Sequence, residues 1–346
     1  MPADPFPIAL GFVPAGAEAV EVPVTVDWTP AVEWTRLQEI RRGADPVQVL
    51  ESPWRATPEW EGERETRRLR AVRIAVEVPG TSRALETVIP VASLGDHARA
   101  ALAGLVKTGR VAPGQEVPWY AVTRERPAET PGDGGRARFR TRAVAPEIRL
   151  RTRGLAAALE ATVPEGSHHA DDVPVLLPAA VLGEVRELTL SRPGAETGGV
   201  LIGHLCRDER SPELLVEVTA QIPAREAVGD AGKLSFTAQV WADLRAALGL
   251  RGRGEIMLGW WHSHPVREWC RNCTEDKRAT CALAEGFLSD ADRRLHRAVF
   301  PRAYSIALVA SDAGRAEPGL ALFGWRAGLL ERRGFHRMAE DVRDVA

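Results

Sequence analysis

The stretch that most constrains this chain runs from Glu255 to Pro265, Glu-Ile-Met-Leu-Gly-Trp-Trp-His-Ser-His-Pro. An apolar run entering His262, Ser263 and His264 reads as a buried strand, and because strand side chains alternate, residues two apart project from one face. Both imidazoles can therefore reach one ion. Two neutral His nitrogens plus a carboxylate, with a fourth position left to water, form the ligand set of a catalytic zinc rather than a structural one. Asp292, in Ser289-Asp-Ala-Asp292, is the candidate carboxylate. A His-x-His pair alone is weak, since 8 His among 346 residues give roughly 0.2 such pairs by chance. Context strengthens it. Upstream, Glu196 opens the glycine-rich apolar run ending at Gly203; downstream, Phe287 and Leu288 lead into Ser289 and Asp292, where a helix should start.

On these residues the chain resembles the JAMM (MPN+/JAB) metalloproteases, which cleave isopeptide or peptide bonds after ubiquitin and ubiquitin-like proteins. The resemblance covers about residues 175 to 330. Its motif, a strand-borne Glu, then His-Ser/Thr-His-Pro, then Ser-x-x-Asp, is matched by Glu196, His262, Ser263, His264, Pro265, Ser289 and Asp292. One departure is plain: 24 residues rather than seven separate His264 from Ser289. The extra residues fit a loop insertion at about 266–285, which chain entropy tolerates because closure cost grows only logarithmically with length.

Length points to two domains. A hydrophobic content of 45% supports ordinary globular folding, and a net charge of -2 gives no basic field for nucleic acid. The Arg136–Arg142 cluster reads as a solvated face. No run is long enough to span a membrane and the N-terminus lacks signal-peptide character. Three of the 4 Cys crowd beside the metal-site motif, which fits a reducing compartment better than a disulfide framework. The expected location is the cytoplasm.

The expected class is α+β, with an N-terminal α+β domain over 1–165 and a JAMM/MPN domain over 173–346, joined by a polar linker at 165–172. Alternation at Val20, Val22, Val24 and Val26 precedes a helix from Pro30 to Arg42. The proline-interrupted stretch 44–66 reads as a connection. Strands at 72–78 and 85–91 make a hairpin, Asp96 caps a helix to about Thr108, and a strand follows at 117–123. Hairpin, helix, strand is the opening order of a ubiquitin-like β-grasp, placed here at about 69–150. Gly134 and Gly135 have a sharper reading as a processed diglycine tail and a plainer one as turn chemistry. The second domain should run helix 178–190, strands 198–205 and 214–222, helix 237–248, the strand into His264, helix 289–299, and strands 304–310 and 320–326. The resemblance implies that this order makes a curved mixed sheet flanked by helices.

For the chemistry, zinc lowers the pKa of water and a nearby carboxylate can take and return the proton; Glu196 is the candidate. Ser289 can cap the helix through a capping box, while the resemblance implies that it donates to the oxyanion. Within the insertion, Cys270, Cys273 and Cys281 have the spacing of a partial zinc knuckle, with Cys206, His204, His296 or Asp276 as candidate fourth ligands. The expected activity is a zinc-dependent isopeptidase or C-terminal processing peptidase. Its partner would be a ubiquitin-like protein, together with activating- and conjugating-type enzymes of the same system. Rival readings are a non-catalytic MPN-type scaffold and a zinc deaminase, which would need His-x-Glu with Pro-Cys-x-x-Cys.

Overall fold

The computed structural model describes residues 6–62, 67–80, 84–123, 149–224, 228–230 and 233–339. The chain divides into two compact units, Met1–Glu39 with Ala44–Glu147, and Ile40–Gly43 with Ile148–Ala346. Both mix helix and strand, as expected for an α+β protein.

The N-terminal unit contains β1 (Ile8–Phe12), β2 (Val20–Val24), α1 (Thr29–Arg41), α2 (Pro46–Glu51), β3 (Trp54–Glu61), β4 (Arg68–Val76), β5 (Leu85–Pro90), α3 (Gly95–Lys107) and β6 (Trp119–Thr123). Two three-stranded sheets result, ordered β2-β1-β6 and β3-β4-β5. Their apolar faces share one core that includes Leu10, Phe12, Trp28, Ile74 and Leu105.

Two readings of this unit are corrected. The stretch 44–66 is not a mere connection. Asp45 accepts from the Val47 and Gln48 N–H groups at 2.9 and 3.0 Å, capping α2 with Pro46 in its first turn, where a missing N–H costs no helical bond. Pro58 then lies within β3, opposite Val72. β3 is a sheet edge, where proline is tolerated. Asp96 is not the cap of α3: Leu94 is, after a short 3-10 turn at Val91–Leu94, and Asp96 sits in the first helical turn.

The hairpin, helix and strand expected over 69–123 are present. However, β6 pairs antiparallel with β1 and not with the β4–β5 hairpin, so the β-grasp order is not matched by β-grasp pairing. Gly134, Gly135 and the Arg136–Arg142 cluster lie outside the described residues.

The C-terminal unit begins before the expected boundary at 165, with β7 (Leu150–Arg153), α4 (Leu155–Glu160) and β8 (Thr162–Glu165). There follow β9 (Val175–Pro178), α5 (Ala179–Ser191), β10 (Gly198–Asp208), β11 (Leu214–Pro223), a short hairpin of β12 (Val228–Asp230) and β13 (Lys233–Ser235), α6 (Ala238–Arg251) and β14 (Ile256–His264). After β14 come α7 (Val266–Trp269), α8 (Glu275–Ala279), α9 (Asp290–Val299), β15 (Ile306–Ser311), β16 (Gly319–Arg326), β17 (Leu329–Arg333) and β18 (Phe335–Met338).

Apart from β12 and β13, which pair only with each other, these strands form one mixed sheet ordered β17-β16-β15-β14-β10-β11-β9-β18-β8, with β7 parallel to the far half of β10. The boundary moves because β7 and β8 belong to this sheet, β8 through β18. β14 is central, antiparallel to β10 and parallel to β15, and buried from Leu258 to His264. Burial on both faces explains its unbroken apolar run. Neighbouring strands press closely: a Cβ on Gly259 would stand 1.8 Å from the Ile306 carbonyl oxygen, and one on Gly203 would stand 1.9 Å from that of Glu217. Only glycine fits such an approach.

The two faces of β14 serve different layers. Trp261 donates its indole N–H to Gln221 at 3.1 Å, and Gln221 donates to Glu184 of α5 at 2.9 Å. On the opposite face, Trp260 donates to His296 of α9 and stacks on His262, which contacts His264; His296 packs in turn on Phe300 and on Trp325 of β16.

Candidate metal centre

Alternation along β14 sends His262 and His264 to the same face, and the Nε2 atoms end 3.1 Å apart. Asp292, in the first turn of α9, places Oδ2 3.6 Å from His262 Nε2. One ligand atom from each of the three residues lies within 4.8 Å of the others, so this buried His-His-Asp group could hold a metal ion. The distances fit one. Two nitrogens each about 2.0–2.1 Å from a tetrahedral ion lie roughly 3.3 Å apart.

Protonation favours the same use. Burial pushes both imidazoles down to about 3; His262 lowers His264 further and Asp292 opposes that. Both rings are thus neutral near pH 7 and each has a lone pair to offer. The rings are also walled in. His262 stacks on Trp260 with centroids 4.6 Å apart and 12° between planes. His264 contacts Trp269 at 4.9 Å and Phe287 at 4.5 Å, so residues flanking the two ends of the insertion close on this ligand.

Ser289 is the N-cap of α9. Its hydroxyl and its backbone N–H both donate to Asp292 Oδ2, at 2.7 and 2.8 Å, and Asp292 N–H donates back to Ser289 Oγ at 3.2 Å. The capping box expected from Ser-x-x-Asp is therefore formed. It also orients the ligand, because the carboxylate that closes the cap is the one facing His262. A hydroxyl has a single proton to donate, so donation from Ser289 to a substrate oxygen would require its bond to Asp292 to be given up.

Glu196 is 7% exposed. Gly198 pairs with His262, and the residue between them and Glu196 is tied down by three contacts. Thr197 N–H donates to Ser263 Oγ at 2.8 Å, the two hydroxyls lie 3.0 Å apart, and Ser263 N–H donates to the Thr197 carbonyl at 2.8 Å. Glu196 itself precedes β10, which begins at Gly198. Ser263, between the two histidines on an alternating strand, points away from the imidazole face and meets Thr197 there. The sequence reading assigned Ser263 no such task, although its place between two ligands on an alternating strand already implied the opposite face.

The insertion carries α7, α8 and a 3-10 turn at Ala282–Glu285. Burial raises the Cys270 thiol pKa, and the neighbouring Cys281 and Cys273 thiols raise it further. Among the described residues, His262, His264 and Asp292 are the group in which three ligand atoms all lie within 4.8 Å of one another; the insertion thiols gather around Cys270, with Cys281 and Cys273 hydrogen-bonded to it. Three candidate fourth ligands are engaged elsewhere. Cys206 donates to Glu217 at 3.7 Å, His204 lies on β10 close enough to Glu255 to help hold its carboxyl down, and His296 accepts from Trp260. Asp276 lies on exposed α8.

No protein-family model matches the chain, and no curated protein does. Among solved structures, the chain is similar to the solution structure of protein DSY2949 from Desulfitobacterium hafniense, at 20% identity over 48% of this chain and 92% of that one, with a TM-score of 0.30. Likeness at that level assigns no function.

Proposed function

We propose that the C-terminal unit is a JAMM/MPN-type zinc metallopeptidase that cuts the isopeptide or peptide bond following a ubiquitin-like protein. The observation that carries the reading is the convergence of one ligand atom each from His262, His264 and Asp292 within 4.8 Å. Two imidazoles and one carboxylate, all from β14 and the start of α9, leave room for a fourth ligand, as catalytic zinc sites do. Zinc bound there would polarise water and lower its pKa toward 7.

The chain's own residues supply the rest. Glu196 accepts the proton from water and returns it to the leaving amine. Ser289 exchanges its bond to Asp292 for one to the developing oxyanion, and the walls formed by Trp269 and Phe287 keep His264 dry. The ubiquitin-like partner, and the activating- and conjugating-type enzymes that go with it, follow from the family resemblance. A β-grasp in the N-terminal unit is left out of this proposal because β6 pairs with β1.

Two rivals fit less well. A docking scaffold has no use for a complete ligand set. A deaminase needs a Glu two residues beyond its His ligand; that position is His264, which is itself part of the converging group. Among the described residues, α helices long and apolar enough to cross a membrane are absent.

The test is cleavage of a ubiquitin-like protein fused through its C-terminal glycine to a reporter. Activity should disappear with a chelator and return with stoichiometric zinc; turnover that persists in the chelated, metal-free protein overturns the proposal. Metal analysis of the same preparation addresses the insertion: two zinc per chain support a structural ion on Cys270, Cys273 and Cys281, and one zinc with three titratable thiols removes it. Ser289→Ala should cost about 1 kcal/mol of stability through the lost cap and lower turnover by about two to three powers of ten. A variant that melts early yet turns over normally leaves Ser289 as a cap alone.

A further inference from the structure

Metal-bound histidines ordinarily have their orientation set by a hydrogen bond at the other ring nitrogen. His262 lacks one: its Nδ1 is buried with no hydrogen-bond partner. What fixes the ring is the stack on Trp260, at 4.6 Å and 12°. Trp260 is fixed in turn, because its indole N–H donates to His296 Nδ1 at 3.1 Å. Indole nitrogen only donates, so His296 must present an unprotonated Nδ1 and carry its proton on Nε2. His296 is 0% exposed and packs against Trp325 and Phe300, at 5.2 and 5.9 Å between ring centroids.

His296 lies on α9, four residues after Asp292. Strand and helix are therefore linked twice, by Trp260 with His296 and by His262 with Asp292. The spacings agree. Two residues along a strand cover about 6.6 Å, and four along a helix cover about 6 Å. Sliding α9 along β14 would break both links together.

We propose that Trp260 and His296 are positioning residues: their hydrogen bond fixes α9 on β14 and, through the indole stack, the plane of His262, so that Asp292 meets the imidazoles at metal-binding distance. The inference rests on the metal reading of His262, His264 and Asp292, not on peptidase activity. Both residues are 0% exposed.

The experiment is titration of the metal-free full-length protein with zinc and with cobalt(II), whose visible absorption reports ligand geometry. Trp260→Phe keeps a ring for the stack and loses the N–H; His296→Leu loses the acceptor. Each should weaken zinc binding by about 10- to 100-fold and alter the cobalt spectrum, while circular dichroism stays that of the wild type. Because both remove one shared bond, the double variant should bind no more weakly than the worse single one. His296→Gln restores an acceptor and should recover most of the affinity. Should His296→Leu fail to fold, Trp260→Phe and His296→Gln decide. Wild-type protein that takes up no ion overturns the ligand reading itself. Wild-type protein that binds, beside folded variants that bind as tightly with an unchanged cobalt spectrum, overturns the positioning pair alone.

Discussion

Asp292→Ala should yield a folded protein that no longer holds its ion, with metal affinity down by more than the roughly 10- to 100-fold typical of losing an outer-shell partner. The carboxylate is one of three converging ligands, and its Oδ2 is the atom within 3.6 Å of His262. It also closes the capping box of α9, accepting from Ser289 at 2.7 and 2.8 Å. The substitution therefore has a second effect, a helix-terminus loss of about 0.5–2 kcal/mol. Asp292→Asn separates the two. An amide oxygen still accepts from Ser289 but carries no charge and is a poor zinc ligand, so the Asn variant should recover much of the melting temperature and little of the metal. Metal content by mass spectrometry and thermal unfolding of the metal-free forms read the two effects independently. An Asp292→Ala protein that retains a tightly held ion would mean that the ligand set has been misassigned.

The candidate metal group was legible in two local pieces: alternation puts His262 and His264 on one face, and Ser-x-x-Asp predicts a cap at Ser289 and Asp292. Joining the two pieces across the 24 intervening residues rested on the family resemblance. What the sequence left open depends on partners distant in the chain. β7, α4 and β8 are four to six residues each, too short for a period to stand out. They are fixed by pairing with β10 and β18, the latter some 170 residues away. β3 was hidden by Pro53 and Pro58, which argue against an interior strand and are harmless at an edge. His296 was read as a spare ligand for the cysteines because composition shows a histidine but not its neighbours. Its spacing of four from Asp292, set against the spacing of two from Trp260 to His262, was a usable signal for anyone asking which helix residues could meet which strand residues.

Glu196→Gln should leave metal binding and folding intact and lower turnover by about 10² to 10⁴, the range that a positioned general base supplies. The substitution keeps the side chain's shape and one acceptor oxygen, and removes its charge and its ability to take a proton. The backbone that follows Glu196 is anchored: Gly198 pairs with His262, and Ser263 holds Thr197 through both backbone and hydroxyl. Zinc content, melting temperature and the rate of fusion cleavage, measured on one preparation, make the distinction. A Gln variant that is metal-loaded, folded and undiminished in rate would remove Glu196 from the chemistry, while a variant that loses its zinc would show that the carboxylate belongs to the ligand set instead.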